Sequence, residues 1–209
     1  MPTQTEKRQR LFELAATQGG YFTAAQARAL AYSSRSLVHH GRLGHFERVS
    51  RGFYRLHDFP ALPHEDVIAA WVKTGTDRAV VSHETALTLY ELAPLRPRKI
   101  HLTVDRTHRP HGDRPQFPGV QIHTTAKQFQ PHDVVERFGV RVTSPTRTIL
   151  DSADSGTEPS FIIEAVQRAL KDGLVVVEEL RQATRGRPER VRKLIDRAIK
   201  EAGRDAAVH

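Results

Sequence analysis

Residues 33–56 read SSRSLVHHGRLGHFERVSRGFYRL, and they concentrate side chains that can bind a polyanion. The segment holds five arginines and three histidines, and Glu47 is its single acid. Guanidinium groups donate paired hydrogen bonds to phosphate oxygens and to the edge of guanine. The chemistry that this pattern predicts is contact with nucleic acid. The alternative is a basic, solvated face that has no partner.

The distribution of charge along the chain favours nucleic acid. The 209 residues carry a formal net charge of +8. Residues 1–57 contain nine basic and three acidic side chains, a net charge of +6, whereas all the remaining residues together contribute +2. Because the excess is confined to one short segment, we expect that segment to be the contact for a polyanion.

Helical periodicity and capping residues indicate three short helices before and within this segment. In the second of them Thr23 is a candidate N-cap and Gln26 stands at the capping-box position. In the third, Leu37 and Val38 are expected to face inward. The predicted helices cover residues 5–17, 23–31 and 34–41. Two short helices joined by a tight turn are typical of a helix-turn-helix.

The residues that follow the third helix predict a β-hairpin. Residues 45–49 and 53–56 are rich in aromatic and β-branched side chains, and Ser50-Arg51-Gly52 forms a turn signal between them. A hairpin directly after a helix-turn-helix is a wing. We therefore predict a winged helix-turn-helix domain over residues 1–57.

In such a domain the recognition helix enters the major groove, and a basic wing suits the phosphate backbone or a narrow minor groove. Arg35, near the start of the third helix, can read guanine, and the neighbouring serines can bind phosphate or a base edge. The candidate DNA-binding residues are Ser34, Arg35, Ser36, His39, His40, Arg42, Arg48, Arg51, Tyr54 and Arg55. Winged helices also serve as protein-docking modules, which is the alternative for this domain.

A proline-containing linker, residues 58–63, precedes a second predicted domain at 64–209. Strand patterns at 99–104, 120–125 and 135–144 predict an antiparallel sheet. Helices are predicted at 64–73, 83–92, 146–153, 159–171, 178–184 and 188–202. The fold class is therefore α+β: a winged helix-turn-helix domain followed by a mixed α/β domain with flanking helices. The last helix is basic, and its predicted role is either a second phosphate contact or a face for an acidic partner.

The sequence offers little that could catalyse a reaction. The chain has no cysteine, which excludes disulfides, thiolate metal sites and a cysteine nucleophile. It contains no phosphate-binding loop, nucleophile elbow or dinucleotide fingerprint. Arg147 and Asp151 lie four residues apart on a predicted helix and are interpreted as an ion pair. We predict a protein that is not an enzyme and needs neither cofactor nor metal.

One enzymatic alternative stays open. His101, His108, His111 and His123 could be ligands of a metal-dependent nucleic-acid enzyme, although two of them alternate on strands and two lie in a loop.

The N-terminus has no apolar core of signal-peptide length, and no run approaches a membrane span. A cytoplasmic protein without a membrane partner is therefore expected.

Several segments together resemble the AbiEi-type antitoxins of type IV toxin–antitoxin systems. The resemblance covers about residues 5 to 185. It is carried by GGYFTAAQARALAYSSRSLVHHGRLGHFERVSRGFYRL, SHETALTLYEL, KIHLTV, VQIHTT, GVRVTSPTRTILDSA and RALKDGLVVVEEL. The most specific parts are the GxFTAAQA…LxxxGRLxxxxRGxYRL and TSPxRTILD patterns.

The resemblance implies a winged helix that binds inverted repeats in its own promoter and represses the operon. It places the wing on Arg48, Arg51, Gly52 and Tyr54 and assigns no catalytic residue. It also implies a C-terminal domain that counteracts a nucleotidyltransferase-like toxin encoded by the adjacent gene, by direct or indirect contact. The expected partner is double-stranded DNA, bound by monomers or a weak homodimer. A transcription regulator unconnected to any toxin is the remaining alternative.

Overall fold

The computed structural model describes residues 3–108 and 119–208. The chain divides into two compact units, one built from residues up to 78 with 138–140, the other from 79–137 and residues from 141 onward. We call them the N-terminal unit and the C-terminal unit. The boundary lies beyond the predicted linker, so the helix at 65–74 belongs to the N-terminal unit. The predicted α+β fold class is confirmed.

The N-terminal unit contains the predicted helices and hairpin. Its elements are α1 (Gln4–Ala16), β1 (Tyr21–Thr23), α2 (Ala24–Ala29), α3 (Ser34–Arg42), β2 (Phe46–Ser50), β3 (Phe53–Leu56) and α4 (Glu65–Thr74). Thr23 caps α2, and Gln26 completes the capping box. Sequence analysis missed β1, which pairs antiparallel with β3 and gives a three-stranded sheet in the order β1-β3-β2.

A small aromatic core holds these elements together. Phe22 of β1 is fully buried, meets the ring of Phe46 edge-on at 5.2 Å and stacks on Tyr54 at 5.5 Å. Leu37 is the buried residue of α3. The prediction that Val38 also faces inward was wrong, because Val38 is 54% exposed. Consecutive helical residues point about 100° apart, so a short helix anchored through Leu37 turns the next side chain towards solvent.

The C-terminal unit is a five-stranded sheet with flanking helices. Its elements are β4 (Ala79–Val81), α5 (His83–Leu89), β5 (Ile100–Asp105), β6 (Val120–Thr125), β7 (Val134–Arg137), β8 (Val140–Thr143), α6 (Pro145–Ser155), α7 (Pro159–Lys171), α8 (Val177–Ala183) and α9 (Glu189–Val208). The strand order is β6-β5-β4-β8-β7. The predicted antiparallel pairing is present between β4 and β5, although no strand was predicted at β4. The predicted strands β5 and β6 are parallel, as are β4 and β8.

Three predicted elements of the second predicted domain have different bounds. The strand region at 135–144 is two strands, β7 and β8, with a turn at Phe138-Gly139. Helix α5 ends at Leu89, well before Pro94, and α9 continues to Val208 instead of ending near residue 202. Among the described helices, none combines the length and the apolar character that a membrane span needs.

Candidate nucleic-acid interface

The start of α3 is a capped helix end with polar side chains at the surface. The Ser33 hydroxyl accepts a hydrogen bond from the backbone N–H of Ser36 at 3.0 Å, which satisfies one of the free donors of the first turn. Ser34 and Arg35 are exposed, and Ser36 is half-buried. The cap therefore fixes the helix end and leaves the hydroxyl of Ser34 and the guanidinium of Arg35 at the surface.

The wing is the hairpin of β2 and β3, which a two-residue turn, Arg51-Gly52, closes at its tip. Gly52 has a φ of +70°, a left-handed conformation that other residues adopt only with strain. Its carbonyl accepts a hydrogen bond from the backbone N–H of Ala24 at 2.8 Å, which ties the turn to the start of α2. Between Arg48 and Ser50 the strand register shifts, so β2 carries a bulge just before the tip. Arg51 is exposed at that tip.

Most arginines of this segment have their guanidinium groups free for a ligand. Arg35, Arg42 and Arg51 are exposed and make no side-chain hydrogen bond or ion pair with any residue of the described ranges. Arg48 is exposed too, and its Nε donates to the carbonyl of Ser50 at 3.3 Å. Because no carboxylate compensates them, these four charges remain available to phosphate groups.

Arg55 differs from the others because its side chain is bound within the N-terminal unit. Its side chain is 13% exposed, and Nε donates to Oε1 of Glu65 at 2.7 Å. Nη2 donates to the carbonyl of Phe59 at 2.9 Å, and the guanidinium lies 5.7 Å from the centroid of the Tyr21 ring. Arg55 therefore ties β3 to the linker and to α4, and we leave it out of the proposed DNA-binding surface.

Tyr54 and His40 also take part in internal packing. Tyr54 is half-buried between the rings of Phe22 and Phe46. The Nδ1 of His40 lies 3.0 Å from Nδ1 of His45. Burial and the adjacent histidines lower the pKa of His40, so its imidazole is neutral at neutral pH. His39 is exposed.

Sequence analysis missed one residue beside the wing. Lys73, in the last turn of α4, donates from Nζ to Oγ of Ser50 at 2.5 Å. It lies 23 residues along the chain from Ser50, beyond the predicted linker. No local pattern signals such a contact, because it depends on how α4 packs.

A second polar cluster lies in the C-terminal unit, around His83. This residue is buried with a left-handed backbone φ of +53°, and its Nδ1 is 2.9 Å from Oγ of Ser82. Its ring stacks on that of His123 at 3.6 Å, and Nε2 of His123 is 3.0 Å from Nδ1 of His101. Burial, then the neighbouring histidines and arginines, lower the pKa of His83 to about 2. Three neutral imidazoles therefore pack together.

Ionised side chains surround this cluster in compensating pairs. Asp151 is buried and accepts from Nε of Arg147 at 2.8 Å, the predicted ion pair, and from Nη2 of Arg187 at 2.6 Å. Arg187 also binds Asp154 at 3.1 Å. These residues and His83 line an open cavity of about 380 Å³. Among the described side chains no three histidine, aspartate or glutamate residues are disposed to hold a metal ion. The side chain of His108 and all of His111 lie outside the described part of the chain.

Comparison with known proteins bears on the N-terminal unit most directly. Residues 9–57 match a family described as "Transcriptional regulator, AbiEi antitoxin". A search of curated proteins finds no significant match. The crystal structure of the RV2827C protein from Mycobacterium tuberculosis is similar over 97% of this chain and 78% of that one, with a TM-score of 0.61 and 12% identity. Such low identity shows a shared fold alone. The family match confirms the inferred resemblance over residues 9–57, which are similar to the AbiEi antitoxin family of transcriptional regulators.

Proposed function

We propose that this protein is a DNA-binding antitoxin that represses its own operon. The observation that carries the proposal is the set of uncompensated arginines, Arg35, Arg42, Arg48 and Arg51, on α3 and the wing. They lie within the residues that match a family of transcriptional regulators. Four exposed guanidinium groups without carboxylate partners suit the phosphates of a duplex.

In the proposed complex, α3 and the wing each make a different contact with the duplex. The start of α3 enters the major groove, where Arg35 reads a base edge and Ser34 contacts phosphate. The wing tip brings Arg51 to the backbone or the minor groove. Two copies occupy an inverted repeat, as monomers or as a weak dimer, and exclude polymerase from the promoter. If each copy neutralises about four to six phosphates, log affinity falls with log salt at a slope near −0.9 per phosphate.

A gel-shift assay on the DNA upstream of the gene tests this assignment. The double variant Arg35→Ala/Arg51→Ala should lose the shift and keep the circular dichroism spectrum of the wild type. The matched control is Arg181→Ala/Arg192→Ala, which removes two exposed arginines from the C-terminal unit. Wild-type binding by the first variant, or equal loss by both, would remove the basis of the proposal.

The antitoxin role rests on the family match and on the resemblance. We propose that the C-terminal unit counteracts a nucleotidyltransferase-like toxin encoded by the adjacent gene, in the cytoplasm. Co-expression of both genes should restore growth that the adjacent gene alone arrests. A pull-down of one protein with the other separates direct from indirect antagonism. An adjacent gene that encodes no nucleotidyltransferase-like protein would instead support a regulator unconnected to any toxin.

A further inference from the structure

The wing tip is held by a side chain outside the helix-turn-helix. Nζ of Lys73 donates to Oγ of Ser50 at 2.5 Å and lies 5.6 Å from the centroid of the Phe53 ring. Ser50 and Phe53 are the two residues that flank the tip, Arg51-Gly52. One ammonium group therefore contacts both ends of the turn that carries Arg51.

The strand ladder alone does not determine the direction of this tip. The register shift between Arg48 and Ser50 marks a bulge, which locally increases twist and leaves one residue unpaired. The hydrogen bond from Ala24 to Gly52 restrains the turn from the side of α2. Lys73 restrains it from α4, so two contacts from different helices fix the tip.

Helix α4 is itself attached firmly to the sheet of the N-terminal unit. At its first residue, Oε1 of Glu65 accepts from the hydroxyl of Tyr21 at 3.0 Å and from Nε of Arg55 at 2.7 Å. Ile68 packs so closely on Gly19 that a Cβ there would lie 2.9 Å from it. Since the helix is anchored near its start, the position of Lys73 in its last turn follows from the sheet.

We propose that Lys73 is a positioning residue for DNA binding, which orients the wing tip so that Arg51 meets the duplex. The inference rests on the proposed function. Lys73 acts through Ser50 and Phe53 and takes no phosphate itself. A tip that is fixed before binding avoids the ordering cost that a loose tip would add. Helix α4, outside the matched residues 9–57, is then part of the DNA-binding apparatus.

The test compares full-length variants on a duplex of the upstream promoter, by fluorescence anisotropy over a salt series. We expect Lys73→Met to weaken binding about tenfold by the loss of preorganisation, with the salt slope unchanged. Arg51→Ala should make the slope shallower by about 0.9, because a phosphate contact is lost. In a protein that already carries Arg51→Ala, the additional substitution Lys73→Met should change the affinity for the duplex little. Lys171→Met, on the exposed end of α7, controls for net charge.

Several results would overturn the inference. A salt slope that is shallower by about 0.9 in Lys73→Met would make Lys73 a direct phosphate contact. Equal losses with and without Arg51 would show that Lys73 does not act through the tip. If Lys73→Met fails to fold, Ser50→Ala removes the acceptor instead and must give the same pattern. If the wild-type protein does not bind the promoter duplex, the proposed function and the inference are refuted together. If Lys73→Met and Ser50→Ala both bind with wild-type affinity, the inference alone is refuted.

Discussion

Protonation of His83 should limit the stability of the protein at acid pH. The side chain is 7% exposed and stacks on His123, with Nδ1 engaged by the hydroxyl of Ser82. Burial lowers the pKa of His83 to about 2, and the neighbouring imidazoles of His123 and His101 add to the effect. The folded protein therefore keeps this imidazole neutral at pH values where the unfolded chain binds a proton.

The size of the effect follows from linkage. In the unfolded chain the pKa of His83 is near 6.5. Above that pH the imidazole is neutral in both the folded and the unfolded state, so it does not change the free energy of unfolding. Below it, the free energy of unfolding falls by about 1.4 kcal/mol for each pH unit. The loss reaches about 2 kcal/mol at pH 5 and continues until the pH approaches the folded value. Burial also lowers the pKa of His123 to about 4, which acts in the same direction. Total stabilities are only about 5–15 kcal/mol.

Urea unfolding at pH 7 and pH 5 measures this loss directly. In His83→Asn the titrating group is gone, and asparagine tolerates the left-handed φ of +53° better than most residues. Between the two pH values the wild type should lose about 2 kcal/mol more than this variant. His132→Asn, whose side chain is 83% exposed, should lose as much as the wild type. Equal losses in the wild type and His83→Asn would refute the reasoning.

Two further substitutions test the packing of each unit. Gly20→Ala should lower the free energy of unfolding by about 2–4 kcal/mol in urea titration, because φ is +85° and the new Cβ would lie 2.6 Å from Cγ of Phe59. Arg187→Met should cost about 3 kcal/mol in the same assay, since it removes a partner from the buried carboxylate of Asp151.

Both substitutions have matched controls elsewhere in the chain. Gly44 also has a positive φ, +75°, but no atom lies within 4 Å of an added Cβ, so Gly44→Ala should cost only about 1 kcal/mol. Arg197 is 67% exposed and pairs with Glu201, so Arg197→Met should cost less than about 1 kcal/mol. If a control variant loses as much stability as the variant that it is matched to, the proposed steric or electrostatic cause is wrong.

Local signals were enough to predict the helix-turn-helix and its hairpin. Thr23 and Gln26 form the predicted capping box, and the turn at Arg51-Gly52 joins the predicted strands. Each of these signals lies within a few residues of the structure that it predicts. The pairing of Arg147 with Asp151 is equally local, one helical turn apart.

Contacts between distant residues were beyond the same reasoning. β1 has only three residues, and its pairing with β3 depends on a chain reversal some thirty residues away. The stacking of His83 on His123 needs a helix start and a strand forty residues apart to meet. Likewise, the sequence alone makes Arg55 a candidate DNA contact of the wing. Its ion pair with Glu65, on the other side of the linker, is visible only in the structure.

The arginines around His83 are paired with carboxylates, whereas those of α3 and the wing tip are not, a difference that net charge does not show. In the C-terminal unit Arg147, Arg187 and Arg190 are matched by Asp133, Asp151 and Asp154. On α9, Lys193 and Arg197 pair with glutamates four residues away. A phosphate approaching these cations must compete with a carboxylate already in place. On α3 and at the wing tip no carboxylate competes with an incoming phosphate. We therefore expect the phosphate contacts that release counterions from DNA to lie on these two elements.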